Sequence, residues 1–127
     1  MSLNGIEQTK ECYCLAARKR ARELTRRYEA ALRPYGLRAT QFSVLAALAQ
    51  TGPVPVSILA DILGLERTTL TRVAGILERD DRVAISQGQD GRVRILDITA
   101  TGKDILAEAL PAWRRIQNKI AVEEQQN

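Results

Sequence analysis

Two short helical runs separated by one glycine turn constrain this chain more than any other feature. Val56-Ser57-Ile58-Leu59-Ala60-Asp61-Ile62-Leu63 carries apolar residues at 56, 59, 60 and 63, the spacing of one helical face. Gly64 follows where a helix end needs positive φ. Only Leu65 and Glu66 then intervene before Arg67 to Arg79, in which Leu70, Val73, Ala74 and Leu77 fall at i, i+3, i+4 and i+7. Arg67, Thr68, Thr71, Arg72 and Gly75 occupy largely the remaining surface. One side of this second helix therefore belongs in a core, and the other, small, hydroxylic and basic, belongs outside it. Two helices joined by so tight a turn have the layout of a helix-turn-helix.

The flanking segments supply what such a pair packs against. From about Thr9 to Leu32 there is no proline or glycine, and Leu24, Tyr28, Ala31 and Tyr35 recur along one helical face. After Pro34-Tyr35-Gly36, Ala39 to Gln50 reads as a mostly buried helix, with Phe42, Leu45, Ala46 and Ala49 in one stripe and Val44 and Leu48 widening it. Beyond Asp80-Asp81 the period falls to two. Val83 and Ile85 alternate, Gln87 to Gly91 is polar, and Arg92 to Ile98 is rich in strand formers, so a β-hairpin with a loose tip is expected. Thr99 is placed to cap a last helix whose stripe is Ile105, Leu106, Ala109, Trp113, Ile116 and Ile120; Pro111 should kink it, and Glu123 to Asn127 reads as a frayed tail. The expected class is mainly α with a small β-hairpin (α+β), one domain over 1–127.

Composition removes most catalytic readings. The chain has 127 residues and no histidine, so the usual general base, zinc ligand and nucleophile pairs are missing. No paired carboxylates, phosphate-loop lysine or metal quartet gathers either, which makes an enzyme the least expected class and leaves no cofactor to expect. Nineteen Lys+Arg against 15 Asp+Glu give a formal charge of +4, which favours a polyanionic partner. Met1 to Lys10 has no basic stretch followed by an apolar run, and nothing later is apolar enough to span a membrane, so a soluble cytoplasmic protein is expected. Cys12 and Cys14 cannot form the disulfide framework of a small secreted domain, which fits a reducing compartment.

The run Leu65-Glu66-Arg67-Thr68-Thr69-Leu70-Thr71-Arg72-Val73-Ala74-Gly75-Ile76-Leu77-Glu78-Arg79-Asp80, with Asp90-Gly91-Arg92 and Ile98-Thr99-Ala100-Thr101-Gly102 after it, resembles the MarR family of bacterial transcriptional regulators. The likeness extends to Tyr28, Leu32, Gly36-Leu37, Gln41-Phe42 and Ala109-Leu110-Pro111-Ala112-Trp113, nearly the whole chain. The resemblance implies a winged helix-turn-helix: a DNA-binding lobe at 39–98, its second motif helix in the major groove, the hairpin as wing, and dimerisation helices at 9–33 and 101–121. Leu24, Tyr28, Leu106, Trp113, Ile116 and Ile120 are then expected at the dimer seam or in the core. Three departures stand out. Arg38 and Pro55 replace the hydroxyl residues that usually precede two of the helices, Gly91 replaces a second wing arginine, and the chain stops at Asn127, where members usually carry a further helix, so a smaller or differently closed dimer is expected.

A helix that reads DNA needs a narrow face free of bulky apolar groups, with arginines for guanine edges and hydroxyls for phosphates. Arg67, Thr68, Thr69, Thr71 and Arg72 meet that need, and Ser57 starts the preceding helix where a backbone phosphate contact is expected. On the wing, Arg92 and Arg94 share strand parity beside the glycine-containing tip, with Asp90 positioned to orient Arg92. Other readings apply to the same residues. Arg94 can guard the edge of a two-stranded ribbon, Asp90 can be a turn residue, and the basic run Arg18, Lys19, Arg20, Arg22, Arg26 and Arg27 serves equally as a solubilising face or as a source of sequence-independent DNA affinity.

Aligned through Arg22-Glu23-Leu24-Thr25, Cys14 occupies the position of the reactive cysteine in the hydroperoxide-sensing members of the family. Tyr28 matches one of their tyrosines, whereas Arg18 and Ala39 stand at the other two positions. Cys14 reads first as a buried, inert thiol, free cysteine being among the most buried residue types, with redox sensing involving Cys14 and its neighbour Cys12 as the alternative. Arg18, one turn on, supplies a cation of the kind that favours a thiolate. The partners expected are therefore double-stranded DNA, a second copy of the chain and, as the resemblance implies, a small aromatic effector. A winged helix that binds protein rather than DNA is the competing reading.

Overall fold

A computed structural model describes residues 1–126. A short 3-10 turn, Ile6–Glu11, leads into α1 (Tyr13–Leu32), and a second, Arg33–Tyr35, leads to α2 (Ala39–Thr51). Then come β1 (Val54–Pro55), α3 (Val56–Leu63), α4 (Arg67–Arg79), β2 (Val83–Gln87), β3 (Arg94–Ile98) and α5 (Ala100–Gln125). The strands form an antiparallel sheet in the order β1-β3-β2, with Val54 opposite Leu96 and Val83 opposite Ile98.

α2 is the hub, because its apolar residues run almost all the way round. Phe42, Val44, Leu45, Ala47 and Leu48 are buried, and only Ala49 of the expected stripe faces solvent. Leu59 of α3, Leu70 and Leu77 of α4 and Leu96 of β3 close on it without residual exposure. The turn between α3 and α4 is held as the sequence requires: Gly64 has φ 65°, and the Leu65 N–H donates to the Ala60 carbonyl at 2.9 Å.

The structure corrects the sequence reading at several points. The first helix starts at Tyr13 rather than Thr9, because Cys12 is extended and separates it from the 3-10 turn. The hairpin gains a third strand: Val54-Pro55 pairs with β3, and Pro55 is tolerated because β1 is an edge. The last helix contains Pro111 and reaches Gln125, so Glu123 and Glu124 are helical and not frayed. Both make ion pairs with α1, Arg27 to Glu123 at 2.5 Å and Arg20 to Glu124. The hydrogen bond from Arg27 holds the Glu123 carboxyl below its ordinary range, so this contribution is present at neutral pH and is lost as pH falls from that range through the lowered folded-state value.

Two junctions connect the elements. Thr99 caps α5 as expected, its Oγ1 accepting from the Gly102 N–H at 3.0 Å and donating to the Asp81 carbonyl at 2.6 Å. Gly102 lies flat against Arg82, whose carbonyl a β-carbon would strike. Arg38 stands where a capping hydroxyl is usual, and the missing cap is supplied from another helix. Glu29 of α1 accepts the Ala39 N–H at 2.5 Å and the Arg38 Nε–H at 2.6 Å, while the Gln41 side chain accepts the Arg38 N–H at 3.0 Å. A carboxylate at a helix N-terminus suits the unpaired amides there. Glu29→Ala should therefore cost about 0.5–2 kcal/mol in urea denaturation, and Glu29→Gln less, since its amide oxygen still accepts; equal stability in all three proteins would mean that the cap is idle.

Candidate nucleic-acid interface

Because Leu70, Ala74 and Leu77 point into the core, the opposite side of α4 is turned outward. Arg67, Thr68, Thr71 and Arg72 are exposed there, while Thr69 is half buried at the edge of the face. Thr71 Oγ1 donates to the Arg67 carbonyl at 2.8 Å, which ties that hydroxyl to its own helix while leaving its oxygen able to accept. Glu66 precedes the helix without a side-chain cap bond, so the first-turn amides keep their hydrogen-bonding capacity.

The wing lies beside this face. Ser57, Arg67, Thr71, Arg92 and Arg94, with Val56 and Val93, line one groove of about 290 Å³ between α3, α4 and the hairpin. Five side chains picked from three separate stretches of sequence thus meet at one place, while Thr68 and Arg72 lie outside its lining on the same helix. Among the described residues, none of Arg67, Arg72, Arg92 and Arg94 has a carboxylate within ion-pair distance, so their charge is directed at solvent. By contrast Arg20 and Arg27 of the basic run are paired with α5.

Strand parity is not what aligns the wing arginines. β3 begins at Arg94, so Arg92 belongs to the tip, where the Gly88 N–H donates to the Val93 carbonyl and Gly91 takes φ 73°. Asp90 organises that tip: its Oδ1 accepts from the Arg92 and Val93 N–H groups at 3.0 and 3.2 Å. It fixes the backbone that carries Arg92 rather than gripping the guanidinium, and so acts as a turn residue. β3 is the central strand, but β1 pairs only with Ile95 and Leu96, so at Arg94 the ribbon has two strands and the edge-guarding reading stays open beside the DNA one. Val56 and Val93 were missed by sequence reasoning, since an apolar residue in a groove wall carries no charge signature.

The expected seam residues divide. Ile120 is buried within its own chain, Leu106 and Trp113 pack on the core, and Trp113 stacks on Phe42 with ring centroids 5.8 Å apart. Leu24, Tyr28 and Trp113 line a second hollow, of about 240 Å³, and the Tyr28 hydroxyl hydrogen-bonds Gln117 across it. Ile116 is half buried, in a shallow hollow between α1 and α5. Large apolar side chains that remain exposed include Leu3, Ile6, Tyr13 and Leu15 near the start of the chain and Val122 near the end of α5, besides Ile58 and Ile62 on α3 and Val93 at the wing. Cys12 and Cys14 are free and exposed, against the expectation of a buried thiol, because the 3-10 turn and first turns of α1 extend beyond the core. Arg18 Nη2 lies 3.6 Å from Cys14 Sγ. Among the described residues no group of metal-ligating side chains gathers, and no helix is long and apolar enough to cross a membrane.

Comparison with known proteins gives a consistent result. A sequence profile of the MarR family matches residues 37–93. The chain is 33% identical over 79 residues to the HTH-type transcriptional regulator YwoH of Bacillus subtilis (strain 168), an alignment covering 62% of this chain and 58% of that relative's length. The transcriptional regulator MosR of M. tuberculosis, solved in complex with DNA, is 40% identical, with a TM-score of 0.82 over 87% of this chain and 81% of that one. MarR of E. coli, in its apo form, shares the fold at 18% identity, with a TM-score of 0.73 over 87% of this chain and 83% of that one.

The wing tip supplies its own check. Asp90→Ala should raise amide hydrogen exchange at Arg92 and Val93 selectively, with a stability loss of about 1 kcal/mol or less for this exposed turn; unchanged protection would show that the loop holds its shape without the carboxylate.

Proposed function

The chain belongs to the MarR family, and from that premise we propose that it is a homodimeric transcriptional regulator, a repressor, that binds a pseudo-palindromic DNA operator. One α4 enters the major groove of each half-site, with half-sites centred about one DNA turn apart. The observation that carries this reading is the single groove shared by Ser57, Arg67, Thr71, Arg92 and Arg94, which offers two hydroxyls and three cations with no carboxylate paired to them among the described residues. Its shape suits a phosphate strand running between recognition helix and wing, with Arg72 on the helix beside it directed at base edges. MosR, 40% identical to this chain, was solved in complex with DNA, which supports DNA as the partner.

The dimer is supported by the exposed apolar residues at the two chain ends, Ile6, Tyr13, Leu15 and Val122, which isolated chains would leave in water. The hollow lined by Leu24, Tyr28, Phe42 and Trp113 lies where α1, α2 and α5 meet, and it suits a small aromatic effector whose binding separates the two lobes and releases DNA.

Duplexes selected from a random pool by the purified protein provide the ligand for testing. Affinity should fall by about 0.9 log unit per log unit of salt for each phosphate neutralised. Arg72→Ala should cost about 1–3 kcal/mol and relax base preference, whereas Arg92→Ala should weaken binding to all sequences alike. No saturable duplex binding, or unchanged affinity in both variants, overturns the assignment and leaves a protein-binding winged helix.

A second reading, redox control, is favoured by the exposed Cys14 thiol with the Arg18 guanidinium 3.6 Å away. A thiolate there attacks a peroxide oxygen, giving the sulfenic acid and releasing water or an alcohol. Peroxide should then abolish DNA binding, reversibly on adding a thiol, in the native protein and not in Cys14→Ser; equal sensitivity of the two proteins removes this reading.

A further inference from the structure

Gly75 stands in the middle of α4, where glycine is a poor choice. It loses more backbone freedom on ordering than any other residue and ranks just above proline as a helix former. Elsewhere a glycine of this chain is demanded by the chain itself. Gly64 has a left-handed backbone, and at Gly102 a β-carbon would meet the Arg82 carbonyl and stand 2.8 Å from Ile98 Cγ1. Neither reason holds at Gly75. Its backbone is right-handed helical, the residue is exposed, and a β-carbon built on it meets no heavy atom within 4 Å.

Its direction on the helix points to another reason. With about 100° between successive residues, and Arg67 set at 0°, Thr71, Thr68 and Arg72 fall at about 40°, 100° and 140°, and Gly75 at about 80°. Leu70, Ala74 and Leu77, which are buried, fall at about 280–340°. Gly75 is therefore at the centre of the outward face. Thr68, Thr71 and Gly75 make a spine with no side chain larger than threonine, flanked by Arg67 on one side and Arg72 on the other.

We infer that Gly75 sets how closely α4 approaches DNA: the duplex surface comes into van der Waals contact with its Cα, and any side chain there holds the helix away. This rests on the reading of α4 as the DNA-contacting helix. A β-carbon projects about 1.5 Å, and hydrogen bonds weaken steeply over less than that, so displacing the helix stretches the Arg67 and Arg72 contacts together. The glycine is then a selector of contact distance, costly to the isolated helix and required by the complex.

The test pairs stability with affinity in Gly75→Ala and Gly75→Gln, using a duplex selected from a random pool by the native protein and Arg72→Ala as reference. Gly75→Ala should raise Tm by about 3 °C, since alanine is the better helix former, while its affinity falls by about tenfold. Gly75→Gln should lose more. Unchanged affinity in Gly75→Gln while Arg72→Ala loses binding overturns this inference and leaves the DNA reading standing. A fall in affinity accompanied by a fall in Tm in both Gly75 variants also overturns it, because the glycine would then serve the fold. If neither Arg72→Ala nor Gly75→Gln changes binding, the DNA reading of α4 fails with it.

Discussion

The packing of Leu70, Ala74 and Leu77 against α2 is the constraint on which the rest of the structure depends. A helix 13 residues long cannot bury one side without presenting the other, so the burial of these three residues is also what turns Arg67, Thr68, Thr71 and Arg72 outward. The leucines that meet them, Leu45, Leu48, Leu59 and Leu96, come from three further elements and have no exposed surface. Interiors packed this closely have few alternative arrangements, which fixes the rotation of α4 about its axis. A helix with a looser apolar face would roll, and its arginines would sweep across the surface instead of meeting the wing.

The second consequence is the fixed spacing between helix and wing. β3 pairs with β2 on one side and with β1 on the other, and β1 runs directly into α3. Arg94 on the sheet and Ser57 on the helix are therefore separated by a few rigid steps rather than by a free loop. At the other end of the hairpin, Thr99 and Gly102 clamp α5 against the backbone of Asp81 and Arg82. In the hairpin only the tip from Gly88 to Val93 lies outside the paired strands, and there the Asp90 carboxylate adds bonds to the Arg92 and Val93 amides beside the Gly88 to Val93 backbone bond.

Charge is distributed with the same economy. The cations of α1 that point toward α5 are met by Glu123 and Glu124, and Arg79 at the end of α4 by Asp80, whereas Arg67 and Arg72 of α4 and Arg92 and Arg94 of the wing are left without carboxylate partners among the described residues. Exposed ion pairs add little stability, so the pairs between α1 and α5 matter mainly for how the two helices align. The unpaired arginines are the ones that long-range attraction to a polyanion acts on. A net charge of +4 describes neither group; its placement does.

Much of this was legible in the chain before folding, and the reason is that it rests on local rules. Gly64 ends a helix because its backbone is left-handed, Thr99 starts one because its hydroxyl accepts an amide, and the 3.6-residue spacing of Leu70, Ala74 and Leu77 fixes which side of α4 is dry. The residue types of the groove, hydroxyls and arginines, were readable for the same reason. Tertiary structure decided whatever joins residues far apart in sequence. Glu29 caps α2 from α1, Val54-Pro55 finds an edge of β3, Arg20 and Arg27 meet the carboxylates at the end of α5, and Cys14 ends exposed because α1 outruns the core. No periodicity within one segment encodes such contacts, because each depends on where a second segment comes to rest.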